Sequence, residues 1–305
     1  MLEIYTYNAG KGDCIRIRFG NRHNIIVDTG ITRFASKFLD LCKDIERNKE
    51  IIDAVIITHM DDDHLGGALF AARRNKTLNI NEFWLNAKNT LVENKGGTPL
   101  SANQNNELYS LIISKGIPVR SVIKGDSINI EGAEINILWP PKDIAEKVYC
   151  ETRNTKLSYT SDRKQKLSTL ADDDITDCDS SLSNRASIVF TFYYENKKLL
   201  FTGDAWGVDI INTISDYSYD MIKLSHHGSI RNLTEEWKKI KCNNYLICTD
   251  GKSHPDKQTI AKIHKWNGNI VIYSPSDWWS NGFFLDEDNN ETIRCVKSDG
   301  KPIII

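Results

Sequence analysis

The sequence predicts a layered α/β or α+β fold built on buried sheets, and three observations lead there. Short β-branched or alternating runs recur along the chain, stretches with apolar residues at three-to-four spacing fall between them, and a composition 40% hydrophobic and 26% charged can bury a large core. The chain opens on alternation from residue 3 to residue 7, with further strands expected at 14–19 and 24–28. Phe34, Phe38, Leu41, Cys42 and Ile45 then keep helical spacing, which predicts a helix over 34–47. Asp53 to Thr58 reads as a fully buried strand, and Leu65, Ala68, Leu69 and Ala72 give the helix expected over 64–74 its apolar face. Strands are expected at 82–85, 117–123, 134–139, 186–194, 198–202, 219–224, 244–248 and 269–273. Helices are expected near 104–115, 206–214, 233–240 and 256–266, and two or three antiparallel strands over 281–305. One stretch breaks the rhythm. Residues 146–184 run from Arg163-Lys164-Gln165-Lys166 to Asp172-Asp173-Asp174 with few apolar residues, so a single domain over 1–305 is expected to carry a polar insertion there, a solvated loop or one ordered by a ligand.

Composition also excludes. No run approaches the roughly 18 apolar residues of a membrane span, and the opening residues resemble neither a signal peptide nor an anchor, so no membrane role is expected. Seven scattered cysteines, odd in number and never spaced Cys-x-x-Cys, suit a reducing compartment, and a cytoplasmic location is expected. A net charge of −2 gives no global basic footprint for nucleic acid, so such a role must rest on a local patch or on site chemistry.

The densest chemistry is Thr58-His59-Met60-Asp61-Asp62-Asp63-His64, directly after a buried strand and opening a helix. His59, Asp61, Asp63 and His64 offer imidazole nitrogen and carboxylate oxygen together, a mixed set that suits a catalytic divalent metal better than a thiolate-rich structural zinc site. Aspartates at a helix start also complement its dipole, but that leaves the two bracketing histidines unexplained. Three more segments end a hydrophobic strand in polar residues: Ile25 to Gly30 with Asp28, Lys198 to Asp204, and Met221 to Ser229 with His226-His227-Gly228. Singly, the Asp-Thr-Gly and Gly-Asp endings read as turns, whereas paired histidines followed by glycine are more specific; in order with the 58–64 cluster, turns alone do not account for them.

These segments, with Asn8-Ala9-Gly10-Lys11-Gly12-Asp13-Cys14 ahead of them and Ser187-Ile188-Val189-Phe190 between, resemble the metallo-β-lactamase-fold hydrolases, closest to the hydrolase domain of ComEC-type competence proteins and their soluble relatives. The resemblance runs from about residue 3 to residue 285 and implies an αββα sandwich with its site along one edge of the two sheets. It implies that Asp63, His64 and His226 hold one metal, that His59 and Asp61 contribute to a second, that Asp204 bridges them, and that Asp28 orients a ligand histidine. The sequence departs from the family in one respect. No histidine lies between His64 and His226, and Asn184 is the nearest stand-in for the usual donor. That leaves the His59 and Asp61 site oxygen-rich, so two divalent ions are expected, Zn²⁺ and/or Mn²⁺, the second weaker. A metal-activated water then serves as nucleophile, with Asp61 or Asp63 able to take its proton. His227 is expected to contact substrate phosphate or protonate the leaving oxygen, with a supporting hydrogen bond as the alternative, and His254 to line the cleft. Which of His226 and His227 is the ligand stays open. His23 and His264 are read as structural or surface residues.

The resemblance and the acidic site favour a phosphodiester, DNA or another nucleic acid, as substrate. Lys11, Arg16, Arg33, Lys223 and Arg231 flank the motifs as candidate backbone contacts, and Trp206, Trp278 and Trp279 as candidate stacking residues. A small-molecule hydrolase (a phosphorylcholine-type esterase, a cyclic-nucleotide phosphodiesterase or a lactonase) and a non-catalytic binding module are the other readings.

Overall fold

A computed structural model of the protein describes residues 1–74, 78–86, 91–95, 100–151, 161–288 and 291–305. In chain order the first half runs β1 (Glu3–Thr6), β2 (Ile15–Phe19), β3 (His23–Val27), α1 (Ala35–Arg47), β4 (Ile51–Ile56), α2 (Asp62–Arg74), β5 (Glu82–Trp84), β6 (Leu91–Lys95), α3 (Leu100–Ser114), β7 (Val119–Arg120), β8 (Ser127–Ile130) and β9 (Ala133–Trp139). The second half adds α4 (Lys142–Ala145), β10 (Lys147–Glu151), α5 (Leu167–Asp172), α6 (Leu182–Arg185), β11 (Val189–Tyr194), β12 (Lys197–Phe201), α7 (Gly207–Thr213), β13 (Met221–Lys223), β14 (Asn244–Leu246), α8 (Lys257–Asn267), β15 (Ile270–Ser274), β16 (Ile293–Lys297) and β17 (Ile303–Ile304).

Two large mixed sheets result, one ordered β17-β1-β2-β3-β4-β5-β7 and the other β16-β15-β14-β13-β12-β11-β9-β8. Strand alternation explains how they pack. Ile25, Val27, Ala54 and Ile56 of the first sheet meet Phe190, Phe192, Leu199, Phe201 and Met221 of the second in one buried cluster. The intervening residues Ile26 and Val55 face outward onto Phe38, Leu41, Leu65 and Leu69 of α1 and α2. Val189, Leu200, Ile222 and Ile272 likewise face Ile210, Ile260 and Ile263 of α7 and α8. Helices therefore cover both outer faces, and the fold is the αββα sandwich.

Four expectations change. The C-terminal stretch forms no hairpin: β16 pairs parallel with β15, and β17 pairs antiparallel with β1 in the opposite sheet. Residues 235–239 make only a 3-10 turn, with Trp237 buried. A parallel pair, β6 with β10, stands apart from both large sheets; its strands lack the alternation that would have shown it. Of the polar insertion, 152–160 lie outside the described residues; 173–180 is irregular and largely exposed, but the stretch before it is anchored to the fold. Leu167 and Leu170 of α5 are buried against α8, and Lys257 reaches the carbonyl of Gln165 at 2.7 Å and Asp288 Oδ2 at 2.6 Å, with both charged side chains fully buried. A few buried anchors hold the segment despite its polarity.

Candidate metal centre

Where β3 and β4 end, and β12, β13 and β14 end in the facing sheet, their following loops meet along one edge, as expected at the carboxyl ends of parallel strands. β3 delivers Asp28, β4 delivers Thr58 and His59, and the first turn of α2 delivers Asp63 and His64. From the other sheet come Asp204 after β12 and His226 and His227 after β13. Tight backbone lets the loops approach. Gly203 has φ +50°, and a Cβ there would stand 2.8 Å from that of Ser187; a Cβ on Gly12 would lie 1.9 Å from the carbonyl oxygen of Asp63. His226 (φ 47°) and His227 (φ 56°) both take the left-handed conformation, and so does Asp28 (φ 56°). Non-glycine residues accept that conformation at a cost of about 1 kcal/mol or more each, and such strain collects at functional sites.

Each of the four histidines has its Nδ1 tied down as a donor. His64 Nδ1 bonds Asp28 Oδ2 at 2.8 Å, and His227 Nδ1 bonds the Cys248 carbonyl at 2.8 Å and Asp13 Oδ1 at 3.1 Å. Thr58 spends its hydroxyl proton on Asp28 Oδ2, so at 3.2 Å its oxygen can only accept from His59 Nδ1. The Asn232 amide nitrogen faces Asp179 Oδ2 and the carbonyls of Asp204 and Ala205, which fixes its oxygen, 3.0 Å from His226 Nδ1, as the acceptor. In the neutral ring every Nε2 then carries a lone pair. These lone pairs converge on Asp204 Oδ2, which lies 3.3 Å from His64 Nε2, 3.5 Å from His227 Nε2 and 3.9 Å from His226 Nε2. The Nε2 atoms of His59, His64 and His227 are buried with no hydrogen-bond partner. Buried polar atoms left so in a folded protein call for an unplaced ligand, and lone pairs beside carboxylates call for a cation.

The donor atoms of His59, His64 and Asp204 lie within 4.8 Å of one another, as do those of Asp63, His64 and His227 and those of Asp13, Asp204 and His227. The structure therefore groups His227, not His226, with Asp63 and His64, and buries it; the His226 side chain is 29% exposed and stands beside His254 with ring centroids 5.1 Å apart. Asp61 Oδ2 lies 4.0 Å from His59 Nε2 while its Oδ1 accepts from Ser183 Oγ at 2.8 Å. Asn184 stands behind His226, its amide nitrogen 3.4 Å from His226 Nδ1. The same nitrogen donates to Asp179 Oδ2 at 2.8 Å. His23 pairs with Asp53 and His264 with Thr292, both away from the cluster.

The cluster is strongly anionic and compensates internally. Burial works to raise Asp13, but Lys223 Nζ at 2.5 Å and then His227 outweigh it and bring the carboxyl down to about 2. Burial likewise opposes ionisation of Asp63 and Asp204, and neighbouring histidines hold both below the usual carboxylate range. Lys223, fully buried, loses by desolvation and gains more from Asp13 and Asp204, so its ammonium is held above the usual lysine range. Burial and then His64 lower His59, whereas His64 is raised well above its ordinary value against its burial, chiefly by Asp204. The carboxylates thus demand positive charge at the imidazoles, which a divalent ion would supply in place of protons.

Sequence reasoning missed Asp13, Lys223 in its internal role, Asp179 and Asn232. Asp13 sits inside the Gly10 to Cys14 segment already singled out, so the signal was present without a role; Asp179 lies in the stretch read as an insertion. The expected phosphate cations are dispersed. Arg16 is buried against Glu50 and Asn24, Lys223 is internal, and Arg231 bonds Asp177 and the Cys178 carbonyl. Trp278 is core, its Nε1 on Ser274 Oγ, and Trp206 packs under the Arg185 guanidinium with its Nε1 on the Ser181 carbonyl.

Residues 7–81, about the first quarter of the chain, match the family described as the metallo-beta-lactamase superfamily. No curated protein matches. Among solved structures, the chain is similar to the metallo-beta-lactamase fold protein YhfI from Bacillus subtilis, at 12% identity and TM-score 0.47 over 100% of both chains. It is similar also to Zn²⁺-bound PqqB from Methylobacterium extorquens, at 8% identity and TM-score 0.46 over 99% of this chain and 100% of that one. No helix among the described residues is long and apolar enough to cross a membrane.

Proposed function

We propose that the protein is a metal-dependent hydrolase of phosphodiesters. The observation that carries this reading is the convergence of the His64, His227 and His226 Nε2 atoms on Asp204 Oδ2, together with the burial of the His59, His64 and His227 Nε2 atoms without a partner. Asp63, His64, His227 and Asp204 would hold one divalent ion, and His59, Asp61 and Asp204 an oxygen-richer second. Such ions supply Lewis acidity and lower the pKa of water, and carboxylate-rich sites suit Mn²⁺ or Zn²⁺ acting on phosphoryl oxygens. The chain's own groups do the rest. Asp28 and Asp13 orient His64 and His227, and Lys223 keeps Asp13 ionised from within. Asp61, partly exposed beside His59 with its Oδ1 held by Ser183, would act through its Oδ2, either on the second ion or, where that ion is absent, as the proton acceptor. His226 and His254, on the open side of Asp204, are placed to meet the substrate or its leaving oxygen; this exchanges the roles expected for His226 and His227.

DNA is one substrate of this class. The burial or pairing of Arg16, Lys223 and Arg231 favours a second reading within it, a small phosphodiester, because a long polyanion needs a row of solvent-facing cations. Metal-stripped protein given back Mn²⁺, Zn²⁺ or Mg²⁺ separately should be assayed on single-stranded DNA, duplex DNA and bis-(p-nitrophenyl) phosphate. Metal-dependent turnover of at least one, abolished in a folded Asp63→Ala protein with depleted metal, is the expected result. Cleavage of the small diester without DNA would select the second reading, and silence on all three despite bound metal would overturn both.

A further inference from the structure

We propose that Lys11 is a substrate-anion ligand, parked on Asp63 until a divalent ion takes that carboxylate. This rests on the phosphodiester reading. Lys11 Nζ lies 3.0 Å from Asp63 Oδ2, and the lysine side chain is 55% exposed, so it approaches the cluster from solvent. The same oxygen stands 3.9 Å from His227 Nε2, so the ammonium shares the carboxylate that the Asp63, His64 and His227 group offers to a metal. Lysine's loop is fixed even though its side chain is not. Gly12 sits flush against the Asp63 carbonyl, and the Asp13 N–H donates to that carbonyl at 3.2 Å, which seats the base of Lys11 at the rim. Lys11 meets the cluster with an exposed side chain, whereas Lys223 meets it from the interior and Arg16 and Arg231 are engaged by Glu50 and Asp177.

With Asp63 engaged by a divalent ion, its carboxylate would hold the ammonium less strongly. The four-carbon stem then lets the charge swing to an anionic oxygen held above the cluster, where a charge-assisted hydrogen bond forms in a partly desolvated place. Lys11 would therefore serve anion affinity and be dispensable for the metals.

The test is Lys11→Met measured three ways at saturating Mn²⁺. Bound metal per chain should equal the wild-type value, the Kd of inorganic phosphate by calorimetry should rise about tenfold, and KM for bis-(p-nitrophenyl) phosphate should rise by a similar factor with kcat changed far less. Unchanged phosphate affinity would overturn the proposal, as would a fall in metal content, which would make Lys11 a support for Asp63 instead. If wild-type protein turns over no diester, the functional reading fails, while the phosphate and metal measurements still decide the role of Lys11.

Discussion

Two adjacent histidines share one strained turn, yet their surroundings separate them. His227 is buried, fixed by the Cys248 carbonyl and Asp13, and grouped with Asp63 and His64, whereas His226 is partly exposed and fixed by Asn232. His227→Ala should lose one equivalent of metal, while His226→Ala keeps metal content and loses turnover by about 10²-fold or more, the range for a positioned acid. Mass-spectrometric metal counts beside kinetics check this; equal metal loss in both would return His226 to the ligand set. Asp13→Asn should weaken metal binding about 10- to 100-fold, as loss of a carboxylate behind a ligand histidine does, and competition with a chelating dye reads it. The His59 to His64 run and the histidine pair stood out by residue type and spacing, and the structure brings them together with Asp204, whose place the family resemblance implied. Asp13 and Asn232 were not, because a supporting residue is defined by what it touches across the fold.

Among the elements, strands with β-branched alternation and helices with a clean apolar face were readable to within a few residues. The anchoring of 161–172 was not legible because its attachment is polar. Lys257 and Asp288 pair with both side chains fully buried, Asp288 also accepts from the Leu167 N–H at 2.8 Å, and Lys265 bonds Asp172. Removing one member of a buried pair leaves its partner charged and unsolvated, so Lys257→Met should cost about 3–5 kcal/mol in urea denaturation. It should also raise protease sensitivity within 161–172. The stretch that follows carries Ser183 to Asp61 and Asp179 to the wall behind His226, so that variant should lose activity even under conditions where it stays folded. A Lys257→Met protein with wild-type stability would show that hydrophobic contacts of Leu167 and Leu170 alone hold the segment.

For the whole molecule, acid is the informative stress. Asp13 and Asp179 are both brought to about 2 from an ordinary 3.8: burial opposes this in each, but Lys223 and His227 outweigh it for Asp13, and His226 with Asn184 for Asp179. A folded-state value below the unfolded one stabilises at pH above about 4, and the contribution is lost as pH falls toward 2; the shifts correspond to about 2 kcal/mol each. Metal-free protein should therefore lose about 4 kcal/mol from these two groups between pH 4 and pH 2, and Asp179→Asn should flatten roughly half of that slope. A wild-type slope no steeper than the variant's would refute the assignment. Strand and helix order pointed to a layered α/β fold and the family resemblance to the αββα sandwich, but neither foretold the division of the last two strands between opposite sheets, because pairing partners are chosen by the assembled edge and not by the strand's own residues. Asp13 and His227, bonded to each other, are 214 residues apart in sequence, and Lys223 arrives almost as late. On the ribosome, the carboxylate of Asp13 therefore stays in water until residues 223–227 have been made, and β1 waits longer still for its edge partner β17.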